Sequence, residues 1–251
     1  MTNPTAALLI IGNEILSGRT QDKNLSHLAT VLGAQGILLR EVRVVPDVEN
    51  DIVEAVNALR ARYTYVFTTG GIGPTHDDIT TAAIAKAFGV KVVRDALAEK
   101  ILRTHYTDDQ VNEARLKMAD VPEGARLIDN PVSSAPGYSI GNVYVFAGVP
   151  RIMQAMLDAV KYSLQGGVPV GMLSITCNLG EGTIAEALTR IQEQFASVEI
   201  GSYPYFKQGV LSTTLVMRSV DAAANKAAYD AVHTMIAEFG GTLMEDPNKT
   251  A

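Results

Sequence analysis

The chain has 251 residues, 19% of them charged and 47% hydrophobic, with a net charge of −6 and a single cysteine, Cys177. That length allows one large or two ordinary domains with a real core, and that composition excludes global disorder. The acidic balance argues against a nucleic-acid partner, and one cysteine excludes internal disulfides and Cys-x-x-Cys metal knuckles, which fits a reducing compartment.

Ala6 to Ile11 is a short apolar run ending at Gly12, the pattern of a strand buried on both faces of a parallel sheet. No basic residues precede it as in a signal peptide, and no apolar stretch nears the ~20 residues of a membrane span, so a cytoplasmic protein without membrane contact is expected. Asn24 to Leu32 places Leu25, Leu28, Ala29 and Leu32 on one helical face, with Asn24 as N-cap. A strand over Ile37 to Val45, a helix over Asp47 to Arg62 and a strand over Tyr63 to Thr69 continue a β-α-β-α-β alternation. Asp77 to Phe88 predicts a helix with an acidic first turn and Gly89 as its stop. Helical pattern resumes from Asp95 to Met118 with a break near Thr107 and Asp108. Pro122 to Tyr138 reads as loop, Val143 to Pro150 as strand and turn, and Pro150 opens a helix through Tyr162. The Gly- and Pro-rich Gln165 to Gly171 is the linker. Beyond it come a strand (Leu173 to Thr176), a helix (Thr183 to Phe195), two strands flanking Tyr205 to Gly209, a helix (Asp221 to Phe239) and an edge strand near Thr242 to Met244. The expected architecture is an α/β domain, residues 1–165, followed by a small α+β domain of βαββα order, residues 172–251.

The chemistry concentrates in TTGGIGPTHDDIT, Thr68 to Thr80, at the carboxyl end of a buried strand. Ligands of open α/β sheets gather there, and glycines beside a helix start present N–H groups to anions. Gly70, Gly71 and Gly73 permit close backbone approach, and phosphate is the natural guest. Asp77 and Asp78 either cap the helix or hold a divalent cation against phosphate oxygens, and the spacing leaves both uses open. The stretch is neither a P-loop nor a dinucleotide fingerprint. His76 is a proton shuttle or, more often for a histidine in a polar loop, a solvated side chain. Gly12, Asn13 and Glu14 follow the first strand, with Glu14 a candidate for metal, ribose or ring recognition. Ser133 and Ser134 offer hydroxyls in the Asn130 to Gly137 loop, and Gly148 precedes another helix start. In a doubly wound sheet these strand-end loops face one crevice.

GNEILSGRTQDKN, TTGGIGPTHDDIT and NPVSSAPG followed by AGVPRIM resemble, in order, the molybdopterin-binding MoaB/Mog domain as it occurs at the N-terminus of the CinA (competence/damage-inducible) family. The second part resembles the small KH-like module that follows it there. The resemblance implies a three-layer α/β/α fold with a mostly parallel sheet, homo-oligomerisation, and a pocket for a phosphorylated pterin, such as molybdopterin, or a nucleotide. It implies one of two chemistries: adenylylation of molybdopterin, or metal-dependent pyrophosphatase cleavage of ADP-ribose or FAD with Mg²⁺, Mn²⁺ or Co²⁺. A non-catalytic binding module serving a separate CinA-type deamidase chain is the alternative. Asp78 matches the aspartate of the shared motif, Asp77 the extra aspartate of CinA-type variants, and Glu14 the glutamate of the first loop. Asn13 stands where cofactor-biosynthesis enzymes carry aspartate, which weakens the adenylylation reading, because an amide holds a cation less well. Ser133 and Ser134 replace the family's Gly-Thr, and Arg151 an acidic position. On the pyrophosphatase reading, Asp77 and Asp78 hold the metal with Glu14, the amides of Gly70 to Gly73 with Thr69 and Ser134 seat phosphates, and Lys117 adds charge.

Overall fold

The first strand, β1 (Thr5–Ile11), sets the layering of the N-terminal part. Its Ala7, Leu9 and Ile11 point into one core and its Ala6, Leu8 and Ile10 into another, as the two-residue period of a strand requires. Both faces are therefore covered, and the computed structural model, which describes residues 2–207 and 210–246, places helices on each.

After β1 come a one-turn helix α1 (Asn13–Leu16), α2 (Asn24–Ala34), β2 (Leu38–Val45), α3 (Glu49–Arg62), β3 (Tyr65–Thr69) and α4 (Thr80–Phe88). Helices α3 and α4 supply Ile52, Val56, Leu59 and Ile84 to the core on the Leu9 side. Helices α2 and α7 (Pro150–Val160) supply Leu28, Leu32, Met153 and Met156 to the Leu8 side. Between α4 and α7 lie β4 (Val92–Arg94), α5 (Ala96–His105), α6 (Glu113–Leu116), β5 (Asp120–Pro122), β6 (Arg126–Ile128), β7 (Gly137–Ile140) and β8 (Val143–Phe146). The main sheet runs β2-β1-β3-β8-β7-β6. Its first four strands are parallel, β7 alone runs the other way, and β6, antiparallel to β7, returns to the common direction. This is the expected three-layer, mostly parallel α/β fold.

Three local expectations need correction. Strands β4, β5 and β6 are each three residues long, too short to leave a periodic pattern; β6 lies wholly inside the stretch expected as loop, and β4 and β5 flank the expected Asp95–Met118 helix. Helix α4 begins at Thr80, so Asp77 and Asp78 precede it instead of forming its first turn. Asn24 is the first residue of α2 and not its cap: Asp22 Oδ1 accepts from the N–H groups of Asn24 and Leu25 at 3.1 and 2.8 Å.

The chain divides at Gly167/Val168 into two compact units. The second contains β9 (Gly171–Cys177), α8 (Glu181–Gln194), β10 (Glu199–Lys207), β11 (Val210–Ser219), α9 (Ala222–Glu238) and β12 (Leu243–Met244). Its antiparallel sheet has the order β10-β11-β9-β12, with β12 an edge strand paired to β9. Cys177 is fully buried in its core beside Leu215 and Ile236. Gln208 and Gly209, in the stretch expected between two strands, lie outside the described residues.

Candidate functional site

Three parallel strand ends meet at one backbone contact. The chain leaves β3 at Gly70, whose N–H donates to the Phe146 carbonyl of β8 at 3.2 Å. Gly70 has φ 103°, and a Cβ on it would stand 2.1 Å from the Ile11 carbonyl oxygen at the end of β1. A Cβ on Gly148 would in turn meet Gly70 Cα at 3.3 Å. Only glycine permits this approach, and the consequence is a seam joining the ends of β1, β3 and β8 at the place where strand order reverses, with β2 on one side of β1 and β3 on the other.

The expected single crevice is two clefts, one on either side of that seam. The first, about 90 Å³, is lined by Ile72, Gly73 and Asp78, by Thr81 of α4, and by Lys117 and Tyr138. The second, about 50 Å³, is lined by Glu14, Lys23, Asn24, Thr69, Gly148 and Pro150. Glu14 is therefore brought to Thr69 and Gly148, while Asp78 is brought to Gly73.

In the first cleft Asp78 turns its carboxylate back along the chain. Its Oδ2 accepts from the Thr75 N–H at 2.8 Å and the Thr75 hydroxyl at 2.6 Å. This local pairing competes with helix geometry and explains why α4 starts late. A side chain on Gly73 would collide with that carboxylate at 2.7 Å, so the glycine makes room for it. Asp77 is exposed, and the Thr75 hydroxyl beside it, followed by its own backbone N–H, holds its carboxyl below the ordinary value. Lys117 lies under the turn, its Nζ donating to the carbonyls of Thr75 (2.6 Å) and Asp78 (2.9 Å). It thus fastens the turn and leaves a cation in the wall. Asp120, also in this wall, is engaged by Arg94 at 2.7 Å. Burial pushes the Tyr138 hydroxyl well above its ordinary value, and it donates to Thr81 Oγ1 at 3.2 Å.

Asn13 sits in α1, with its N–H on Asp47 Oδ2 at 2.9 Å, and both Asn13 and Glu14 are exposed. Gly12 precedes them, and a Cβ there would crowd the Glu14 carboxylate at 2.5 Å. His76 and Arg151 are exposed. Gly71, at φ 68°, receives Thr80, whose hydroxyl donates to the Gly70 carbonyl at 2.9 Å. Among the described residues, no three His, Cys, Asp or Glu side chains converge as a metal-holding group.

Neither Ser133 nor Ser134 lines the two clefts. The buried Asn130 organises their loop: its Nδ2 donates to Ser133 Oγ (2.6 Å) and the Ala135 carbonyl (2.7 Å), and its Oδ1 accepts from the N–H groups of Val132 and Ser133. Ser134 is held at φ 59°, with its hydroxyl 3.1 Å from His105 Nδ1. Sequence reasoning missed His105, Asn24 and Asn130. Nothing in the pattern marked His105, whereas a buried asparagine inside a loop of turn formers was a signal for Asn130.

Residues 7–165 match the family model described as a probable molybdopterin binding domain, and residues 169–240 match the FAD synthase middle domain. A CinA-like protein of Desulfosudis oleivorans is 37% identical over 73% of this chain and 48% of its own length. A probable FAD synthase of Caenorhabditis elegans is 28% identical over 93% of this chain and 50% of its own length. The chain thus spans about half of each of these two relatives. The crystal structure of CinA from Thermoplasma acidophilum, 34% identical, superposes with a TM-score of 0.61 over 65% of this chain and 99% of that one. The glycine seam and its two clefts lie within the matched residues 7–165, and the chain belongs to the MoaB/Mog molybdopterin-binding-domain family in its CinA-type form.

Proposed function

We propose that the chain is a metal-dependent nucleotide pyrophosphatase that cleaves an ADP-ribose- or FAD-like diphosphate. The observation that carries this reading is the pair Asp77 and Asp78 beside the glycine turn, with Lys117 fastened beneath it. The donor set fits a hard cation: Asp77 is exposed with a lowered pKa, and Asp78 commits one oxygen to Thr75 and keeps Oδ1 for a ligand. Mg²⁺ is ordinarily held by one or two carboxylates together with substrate phosphates, so a three-residue protein cage is not required. When bound with substrate, such a metal neutralises diphosphate charge and acidifies a water. The chain's own part is to bind and orient. The turn reaches the first cleft at Gly73, where a phosphate can approach the backbone, and Lys117 adds fixed positive charge. Glu14, in the other cleft, contacts the far end of the ligand on this reading, not the metal. The likeness to a probable FAD synthase supports a dinucleotide as substrate.

A second reading is a pterin- or nucleotide-binding module that presents its ligand to a partner such as a separate CinA-type deamidase chain. The engagement of Asp78 Oδ2 by both the N–H and the hydroxyl of Thr75 favours it, because that oxygen is used within the turn. The two separate in one assay: phosphate-product release from ADP-ribose, FAD, NAD and ATP with Mg²⁺, Mn²⁺, Co²⁺ or EDTA, beside an Asp77→Ala/Asp78→Ala variant. Metal-dependent cleavage lost in the variant supports the hydrolase. Binding without turnover, retained in the variant, overturns it in favour of the module.

A further inference from the structure

Two polar atoms in the Glu14 cleft have no hydrogen-bond partner although solvent does not reach them: Asn24 Oδ1 and Thr69 Oγ1. Their residues are 4% and 2% exposed. The Asn24 amide cannot be turned around, because its Nδ2 donates to the Gly148 carbonyl at 2.8 Å, and a carbonyl accepts only from a donor. Oδ1 is therefore an acceptor in need of an N–H or O–H. Asn225 of the second unit has the same arrangement, with Nδ2 on the Gly171 carbonyl and Oδ1 unpaired, so an orphaned amide oxygen is not by itself a site. Asn24 and Thr69 differ in lining one cleft together, beside Glu14.

The remaining groups of this cleft say what it takes. The N–H groups at the start of α2 are already held by Asp22. Helix α7 begins with Pro150, which has no N–H. The anion-attracting features of two helix starts are thus largely spent, and the cleft is lined by Asn24 and Thr69 with their unpaired oxygens, by the carboxyl-bearing Glu14 and Asp22, and by Lys23. The two carboxylates oppose phosphate, and the two unpaired oxygens match a neutral group carrying hydrogen-bond donors. We propose that this cleft reads the donor-bearing, uncharged end of the ligand, a ring N–H or amine or a sugar hydroxyl, with Asn24 Oδ1 as the discriminating acceptor and Thr69 Oγ1 as a second contact. The phosphates then lie across the seam toward Gly73 and Lys117. This assignment rests on the reading of the site as a nucleotide or pterin pocket, but not on hydrolysis.

The test is calorimetric binding of uncharged probes that carry no diphosphate to cleave: adenosine, purine riboside, which lacks the amine, 2′,3′-dideoxyadenosine, which lacks the 2′ and 3′ hydroxyls, and hydroxymethylpterin. An unmet buried acceptor predicts that removing the matching donor weakens binding on the order of tenfold, and the probe that suffers names the donor's source. In Asn24→Leu that discrimination collapses. Thr69→Val gives a signature no structural role would produce: removing an unpaired buried hydroxyl raises the Tm of the protein alone, yet weakens the favoured probe. Thr68→Val, whose hydroxyl is also unpaired but which lies on the opposite face of β3 and lines neither cleft, changes Tm without changing affinity. Equal affinity for all probes, no binding of any, or discrimination intact in Thr69→Val and in folded Asn24→Leu overturns the proposal. Diphosphate hydrolysis could still occur in each of those cases, so its fate is read separately.

Discussion

Two irregular segments lie at the same edge of the main sheet, the Gly70 to Asp78 turn after β3 and the Asn130 to Pro136 loop between β6 and β7, and they are held by opposite means. The first is shaped by missing side chains: Gly70, Gly71 and Gly73 each sit where a Cβ would strike a neighbour, at 2.1, 2.2 and 2.7 Å. The second is shaped by one side chain, the buried Asn130, which spends both ends of its amide on the loop around it. The difference bears on function. A turn made by close backbone packing leaves amides and carboxylates near its surface for a ligand. A loop tied by its own asparagine has used those groups on itself: the Ser133 hydroxyl accepts from Asn130, and Ser134 donates its N–H to the Asn130 carbonyl and turns its hydroxyl to His105.

The largest effect should come from breaking the first device. Gly70→Ala places a methyl group against the Ile11 backbone carbonyl and adds the cost of a positive φ, so a loss on the order of 3 kcal/mol is expected in urea unfolding, together with lost ligand binding. Loss of binding at unchanged stability would mean that the seam shapes the site without supporting the fold. Asn130→Ala strips four hydrogen bonds from one loop and should cost about 2 kcal/mol, with faster amide exchange at Val132 and Ser133. If the loop is as closed to ligands as its bonding indicates, nucleotide affinity in the folded Asn130→Ala fraction stays near that of the parent. Ser134→Gly relieves a left-handed conformation but loosens the unfolded chain, and a net gain of about 0.5 kcal/mol is expected. A loss instead would show that the exposed contact with His105 outweighs the strain.

The contrast also explains what could be read from sequence. The parallel core was legible because continuous apolar runs such as Ala6 to Ile11 have few other uses, and the glycine turn because three glycines in four residues at a strand end are costly anywhere else. The division of the crevice into two clefts was not legible, since it depends on how closely Gly70 approaches Ile11, a contact between residues 59 positions apart. Asn24 was misplaced for a related reason. An asparagine before a helical run is a good cap on propensity, but Asp22 reached the same N–H groups first, and the freed amide went to Gly148, 124 residues away. Local chemistry names candidates. Long-range packing decides which of them becomes part of a site.

The smallest effect concerns the charge state at the end of the glycine turn. The Thr75 hydroxyl is the leading cause of the lowered Asp77 pKa, with the Asp77 backbone N–H, His76 and Lys117 adding to it. Because the folded-state value is depressed, ionisation of Asp77 stabilises the fold above the ordinary carboxylate value, and that contribution disappears as pH falls through the depressed one. Thr75→Val removes the hydroxyl and keeps the shape and the N–H that Asp78 accepts. The variant should therefore melt slightly below the parent at neutral pH, with the gap narrowing as pH falls past the ordinary carboxylate value. In an Asp77→Asn background, the part of the gap that varies with pH should vanish. A gap that persists unchanged in the Asp77→Asn background would assign the whole effect of Thr75 to its hydrogen bond with Asp78. In that case Asp77 would offer a metal or a phosphate no more than any surface carboxylate does, and Asp78 would be the residue on which the chemistry of this turn depends.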